Sequence, residues 1–192
     1  MMNFSRRSFI SGTAATALVL TTRATSFAQR VPLTGQEPAF ETPEEGLQLL
    51  LEVQRAELAL YEQGLAFFDQ DPLASTLQGM AGLEQSHIDL LTAHLGDVPP
   101  TDAAYTFEFA DATSFWAIAS VLEGASVSCV QGLMGTLQPD AETLNLALGI
   151  HENDARQLAV VEAQRSAIPI PLAIHPTIPV EGIRQILAGY TA

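Results

Sequence analysis

A glutamate and a histidine three positions apart, Glu84 and His87, interrupt an apolar stripe and constrain this chain more than any other feature. The stripe is Leu73, Leu77, Met80, Glu84, His87, Leu91, His94, within a stretch that ends at Gly96. Steps alternating between four and three mark the inward face of an amphipathic helix. Residues three apart share that face, so the carboxylate and the imidazole point the same way. A carboxylate buried there is costly unless it is paired, protonated or bound to a metal. Carboxylate-rich helical bundles that bind metal pairs supply their ligands from helices with this Glu-x-x-His spacing.

Three further stretches carry an apolar stripe with a glutamate in its middle. Thr42-Pro43-Glu44-Glu45 opens a helix with Thr42 as N-cap, Pro43 in the first turn and Glu45 closing a capping box. Its inward stripe is Leu47, Leu50, Gln54, Glu57, Tyr61, Gly64, Phe68, with Glu57 near the middle. Asp69 to Pro72 is a short break, with Asp71 as the next cap, and Gly96 ends the second helix. A third helix, about Thr113 to Leu137, has the stripe Trp116, Ala119, Glu123, Ser126, Val130, Leu133. Gln138-Pro139-Asp140 breaks it, with Asp140 capping a fourth. There the periodicity places Leu144, Leu148, Glu152, Ala155 and Ala159 inward.

The expected helices are 42–69, 72–95, 112–137 and 140–166. Glu57 and Glu84 lie 27 residues apart, and Glu123 and Glu152 lie 29 apart, so the chain reads as two helical hairpins. The connection between them holds Pro99-Pro100 and alternating Tyr105, Phe107 and Phe109, and is long enough to cross the bundle lengthwise. A short loop, a long crossover and a short loop predict an all-α, ferritin-like four-helix bundle with the crossover between helices 2 and 3. Beyond it, residues 168–192 form a proline-rich tail with a short helix over Val180–Ala188.

The first 28 residues differ in character. Arg6 and Arg7 precede an apolar run from Phe9 to Thr22, and Ser26-Phe27-Ala28 offers a cleavage site. This is a secretory signal, too short to span a membrane as a helix, so no stable span remains after cleavage. Ser5-Arg6-Arg7-x-Phe9 resembles a twin-arginine signal, which implies export to the periplasm or beyond. Residues 29–41, with Pro32, Gly35 and Pro38, read as an extended leader, and 42–167 as the bundle. All eight basic residues are arginine, and three lie within the signal, while all 22 acids lie after it. Five arginines against 22 acids leave −17, a surface that repels phosphate backbones, so nucleic acid is not a partner. Cys129 is the only cysteine and excludes an intrachain disulfide.

The run Thr106-Phe107-Glu108-Phe109, followed by Phe115-Trp116-Ala117-Ile118-Ala119-Ser120-Val121-Leu122-Glu123-Gly124-Ala125-Ser126-Val127-Ser128, resembles the crossover and third helix of exported ferritin-like proteins related to desiccation-associated proteins. The resemblance covers about residues 42–165. It implies a ferritin-like bundle and, by position, the ligands Glu57, Glu84 with His87, Glu123 and Glu152. It also implies iron-dependent oxidase or iron-sequestering chemistry. The chain departs from that pattern where the fourth helix needs Glu-x-x-His, since it has Glu152-Asn153-Asp154-Ala155.

Carboxylates with one imidazole suit iron or manganese, with zinc as an alternative, at one or two ions per chain. Two divalent cations would cancel four ionised glutamates, and so would raised pKa values, which leaves a metal-free polar core as the alternative. Tyr61, one turn past Glu57, is placed to bond a ligand carboxylate. His151 points away from Glu152, His94 reads as a core histidine bonded to a backbone carbonyl or to Tyr105, and Asp154 is expected to face solvent. His175, between prolines, reads as a solvated loop residue. Nothing in the leader or tail suggests a cage, so a monomer or small oligomer is expected.

Overall fold

In the computed structural model, the described residues are 40–69, 72–96, 103–134, 136–137, 140–165 and 177–192. The expected signal, most of the leader, the Asp71 cap and His175 lie outside them. Five helices occur among the described residues: α1 Pro43–Phe67, α2 Ala74–Leu95, α3 Ala112–Leu133, α4 Ala141–Gln164 and α5 Val180–Ala188.

The helix starts follow from local chemistry. The Thr42 side chain accepts from the Glu45 N–H at 3.2 Å, while the Glu45 carboxylate accepts from the Glu41 N–H at 3.2 Å. This satisfies two backbone donors that the first turn leaves orphaned. Asp111 and Ser114 form a reciprocal capping box at α3, and Asp140 accepts from the N–H groups of Glu142 and Thr143 at α4. Helix α2 begins at Ala74, two residues later than expected, and no side chain caps it. It ends at Gly96, whose φ of 69° is the left-handed conformation that glycine adopts without a Cβ clash.

Helix α1 packs against α2 and α3, α3 against α4, and α2 against α4. End-to-end contacts give the directions. A Cβ on Gly46, early in α1, would lie 2.1 Å from Leu133 Cδ2 at the end of α3. Phe68, just past α1, meets Phe115 at the start of α3 with ring centroids 5.5 Å apart. Helices α1 and α3 are therefore antiparallel. His94 near the end of α2 bonds Thr143 near the start of α4 at 2.9 Å, so that pair is antiparallel too. Arg165, just past α4, reaches Ser120 in α3 at 2.7 Å, which makes the third antiparallel pair.

With those directions, α2 and α3 run parallel, so Gly96 and Asp111, the ends of the connection, lie at opposite ends of the bundle. The Gln63 side chain holds the connection against α1, donating to Tyr105 O at 3.0 Å and accepting from Phe107 N–H at 3.1 Å. Phe109 then packs against Phe67, Phe68 and Phe115. The alternating aromatics cover the core, Phe107 within it and Tyr105 and Phe109 packed against it, and Tyr105 forms an isolated antiparallel bridge with Thr191. Helix α5 closes one end against α1 and α3, as the Val180–Ala188 pattern predicts, with Arg184 paired to Glu45 at 2.9 Å. Among the described residues, only α3 is long and apolar enough to cross a membrane; 72% of its most apolar window is buried in the bundle, which marks it as a core helix.

Candidate metal centre

Each bundle helix brings two polar side chains, three residues apart, to one level of the core. They are Gln54 and Glu57 on α1, Glu84 and His87 on α2, Glu123 and Ser126 on α3, and Asp154 and Gln157 on α4. All eight are buried. The spacing of three is what places both members of each pair on the same face.

Four of the five ligands expected from the sequence, Glu57, Glu84, His87 and Glu123, meet here. Glu152 does not. Its side chain is 66% exposed and pairs with Arg156 on the surface of α4. Asp154, expected in solvent, is completely buried and stands in its place. Asp154 lies two residues after Glu152, about 200° around the helix. The inward face of α4 is Thr143, Ala147, Ile150, Asp154, Gln157 and Val161. Ala155 is exposed and is therefore not the position of a missing histidine; that position is Gln157. His94 is exposed and bonds the Thr143 hydroxyl, neither a backbone carbonyl nor Tyr105. Cys129 is buried, its thiol directed at Gly46 O at 3.6 Å, and burial pushes its pKa up.

Glu84, His87 and Asp154 form the tightest group: one ligand atom from each lies within 4.8 Å of the others. His87 Nδ1 is 3.3 Å from Glu84 Oε2, 3.4 Å from Asp154 Oδ1 and 2.6 Å from Gln54 Oε1. Three acceptors around Nδ1 mean that it carries a hydrogen while no cation is bound; a cation held by Glu84, Asp154 and His87 together would take the place of that hydrogen. Gln157 Nε2 donates to Glu84 Oε1. The Ser126 hydroxyl donates to Asp154 Oδ2, as does Gln54 Nε2 at 3.1 Å. Tyr61 donates to Glu123 Oε1, the ligand-carboxylate bond expected of it, made across the bundle to α3.

These carboxyls sit in a medium that resists charge. Burial is the largest influence on Glu57 and pushes its pKa well above the usual carboxylate range, and the nearby Glu84, Glu123 and Asp154 push it further. Glu123 is raised for the same reasons, burial first and then Glu84 and Asp154, against the pull of the Tyr61 hydroxyl. Asp154 is raised to about 7 by burial and by Glu84, against the His87 charge and the bonds from Ser126 and Gln54. For His87 burial is the strongest influence and favours the neutral ring. The bond to Glu84 and the charges of Asp154 and Glu84 together outweigh it and raise its pKa.

The donor set fits a cation. Glu57 Oε1, Glu123 Oε2, Gln157 Oε1 and His87 Nε2 are all buried with no hydrogen-bond partner, and Asp154 Oδ1 has only His87 Nδ1 near it, at 3.4 Å. Buried polar atoms are normally satisfied, and four orphans converging on one level of a core point to a bound group. Two are carboxylate oxygens, one is a carboxamide oxygen and one is an imidazole nitrogen, a combination that first-row divalent metals bind.

Fold and core together define a helical bundle with a lengthwise crossover and a carboxylate–histidine centre. The family of ferritin-like domains matches residues 44–167, more than half of the chain, and the protein belongs to that family. No curated protein matches the sequence.

Sequence reasoning missed Asp154, Gln157 and Ser126 as members of the centre, and Gln54 as more than part of a stripe. The signal for α4 was present: Ile150, Asp154, Gln157 and Val161 fall at steps of four, three and four. Asp154-x-x-Gln157 has the same spacing as Glu84-x-x-His87.

Proposed function

We propose that this chain is an exported ferritin-like protein that binds iron or manganese in its core and oxidises or sequesters iron there. One observation carries the reading: Glu84, His87 and Asp154 converge from α2 and α4 in full burial, surrounded by carboxylate oxygens and an imidazole nitrogen that lack partners. A redox-active metal held there supplies one-electron chemistry with oxygen or peroxide. The protein's own residues hold and orient. Gln157 fixes Glu84, Ser126 and Gln54 fix Asp154, and Tyr61 fixes Glu123. Such outer partners set ligand orientation and basicity. The pair Arg6-Arg7 supports export by the twin-arginine route to the periplasm or outside, where the protein acts as a monomer or small oligomer.

The test is metal content of full-length protein stripped with chelator and dialysed against Fe(II) under anaerobic conditions or against Mn(II). Near-stoichiometric binding that Glu84→Ala abolishes is expected. Binding that survives Glu84→Ala would place the metal elsewhere. Replacing Arg6 and Arg7 together by lysine should block export, and size-exclusion at cage mass would contradict the small assembly.

A second reading has its own support. Gln54, Tyr61, Ser126 and Gln157 donate to the carboxylates without any metal, as expected of a stress-associated structural protein whose ferritin-type core is metal-free. Absence of binding to the wild-type chain would leave that reading standing.

A further inference from the structure

We propose that the centre takes a single divalent cation, on Glu84, His87 and Asp154, because the Gln54 carboxamide stands where a second would lie. The proposal rests on the metal-binding reading above and decides its nuclearity. Gln54 is completely buried, and its amide divides the polar core in two. On one side its oxygen faces the Glu84–His87–Asp154 group, 2.6 Å from His87 Nδ1. On the other its nitrogen lies 3.0 Å from Glu57 Oε2, 2.8 Å from Ser126 Oγ and 3.1 Å from Asp154 Oδ2.

An amide nitrogen donates hydrogens and has no lone pair to offer a metal. Placed between Glu57 and Asp154, it occupies the position from which a second cation would reach those carboxylates. Its N–H groups bind both oxygens as a neutral substitute for positive charge. Turning the amide over would offer its oxygen there, but would set its NH2 against His87 Nδ1, whose hydrogen faces the carboxylates of Glu84 and Asp154.

The far side of the core shows the same substitution. Helix α4 has Gln157 three residues after Asp154, where α2 has His87 three after Glu84. Gln157 Nε2 donates to Glu84 Oε1, and its amide oxygen has no partner, so α4 offers a neutral oxygen where α2 offers an imidazole. Glu123 is tied to Tyr61, and neither Glu57 nor Glu123 belongs to the compact ligand group. Two amides thus stand in for the ligands that a second ion requires.

The experiment titrates chelator-stripped, full-length protein with Mn(II). Bound metal is counted after equilibrium dialysis, and the electron paramagnetic resonance spectrum of the bound ions is recorded. The wild-type chain is expected to bind one ion, with the hyperfine-split signal of isolated Mn(II). Gln54→Glu, which replaces the donor amide with a carboxylate, is expected to bind two, with a spectrum broadened by exchange coupling. Two ions on the wild-type chain would overturn this proposal and leave the metal-binding reading intact. No ion on the wild-type chain would overturn both. One ion on the wild-type chain and also on Gln54→Glu would show that Gln54 is not what excludes the second. The wild-type count needs no variant, so a Gln54→Glu chain that failed to fold would not remove the test.

Discussion

Replacing Asp154 by asparagine should make the stability of the metal-free protein less sensitive to rising pH. The Asp154 carboxyl titrates at about 7 in the fold, against an ordinary value of 3.8, chiefly because burial penalises its charge. Below about pH 4 the folded and unfolded chains both hold the proton. Between there and pH 7 the unfolded chain releases it while the folded chain keeps it, so folding takes up a proton. Rising pH then weakens the fold by about 1.4 kcal/mol per unit for this one group. Above pH 7 both forms are ionised and the loss is complete. Asparagine removes the titration, while its side-chain oxygen can still accept from Ser126 and Gln54, the two donors to Asp154 Oδ2. From pH 5 to pH 8 the wild-type chain should therefore lose about 3 kcal/mol more than Asp154→Asn. For a domain of this size that is a difference in melting temperature of about 6–12 °C. Urea denaturation in chelator at the two pH values measures it. Parallel loss in both proteins would refute the reasoning, because Asp154 would then be ionised in the fold at no cost. Added metal should oppose the trend, since it binds the carboxylate and stabilises the folded state by mass action.

Three other substitutions probe the surroundings. Tyr61→Phe removes the hydroxyl that bonds Glu123 and leaves a second oxygen of that carboxyl without a partner; a loss of about 1–3 kcal/mol is expected in chemical denaturation. Gly46→Ala would set a Cβ 2.1 Å from Leu133 Cδ2 and 3.0 Å from the Phe40 ring, so it should cost about 1–3 kcal/mol, measured the same way, by forcing α1 and α3 apart. Ala155→His, at an exposed position, should change neither metal stoichiometry nor stability beyond about 0.5 kcal/mol in dialysis and melting experiments, and Glu152→Ala should behave alike.

How much of this was legible in the sequence depends on whether a helix buries the residues of its apolar stripe. Helix α1 does: Leu47, Leu50, Leu60 and Tyr61 are all at or below 1% exposure, so a stripe drawn through its apolar residues also found Gln54 and Glu57. In α2 and α3 the stripe is again largely the buried face, with Leu77 and Leu91 framing Glu84 and His87, and Trp116 and Val130 framing Glu123, although Leu83 and Leu90 elsewhere on α2 are 39% and 53% exposed. The caps at Thr42, Asp140 and Gly96 were readable because each rests on a local backbone requirement that few residue types meet.

Helix α4 breaks that rule. Leu148 and Val160 are 43% and 41% exposed, while Thr143, Asp154 and Gln157 are buried. A periodicity weighted by hydrophobicity therefore selected the face carrying Leu148 and Glu152, about half a turn from the face that packs. The burial of three polar residues on α4 has a physical cause outside that helix. Gln157 is held by Glu84 on α2, Asp154 by Ser126 on α3 and Gln54 on α1, and Thr143 by His94 on α2. Each partner lies at least 28 residues away in the chain, and Gln54 and Asp154 are 100 residues apart. A polar side chain is stable in a core only when such partners satisfy it. The inward face of α4 was therefore decided by the polar residues of three other helices. A search for matched pairs three apart on all four helices, in place of a search for apolar stripes, would have paired Asp154-x-x-Gln157 with Glu84-x-x-His87 and phased the helix correctly.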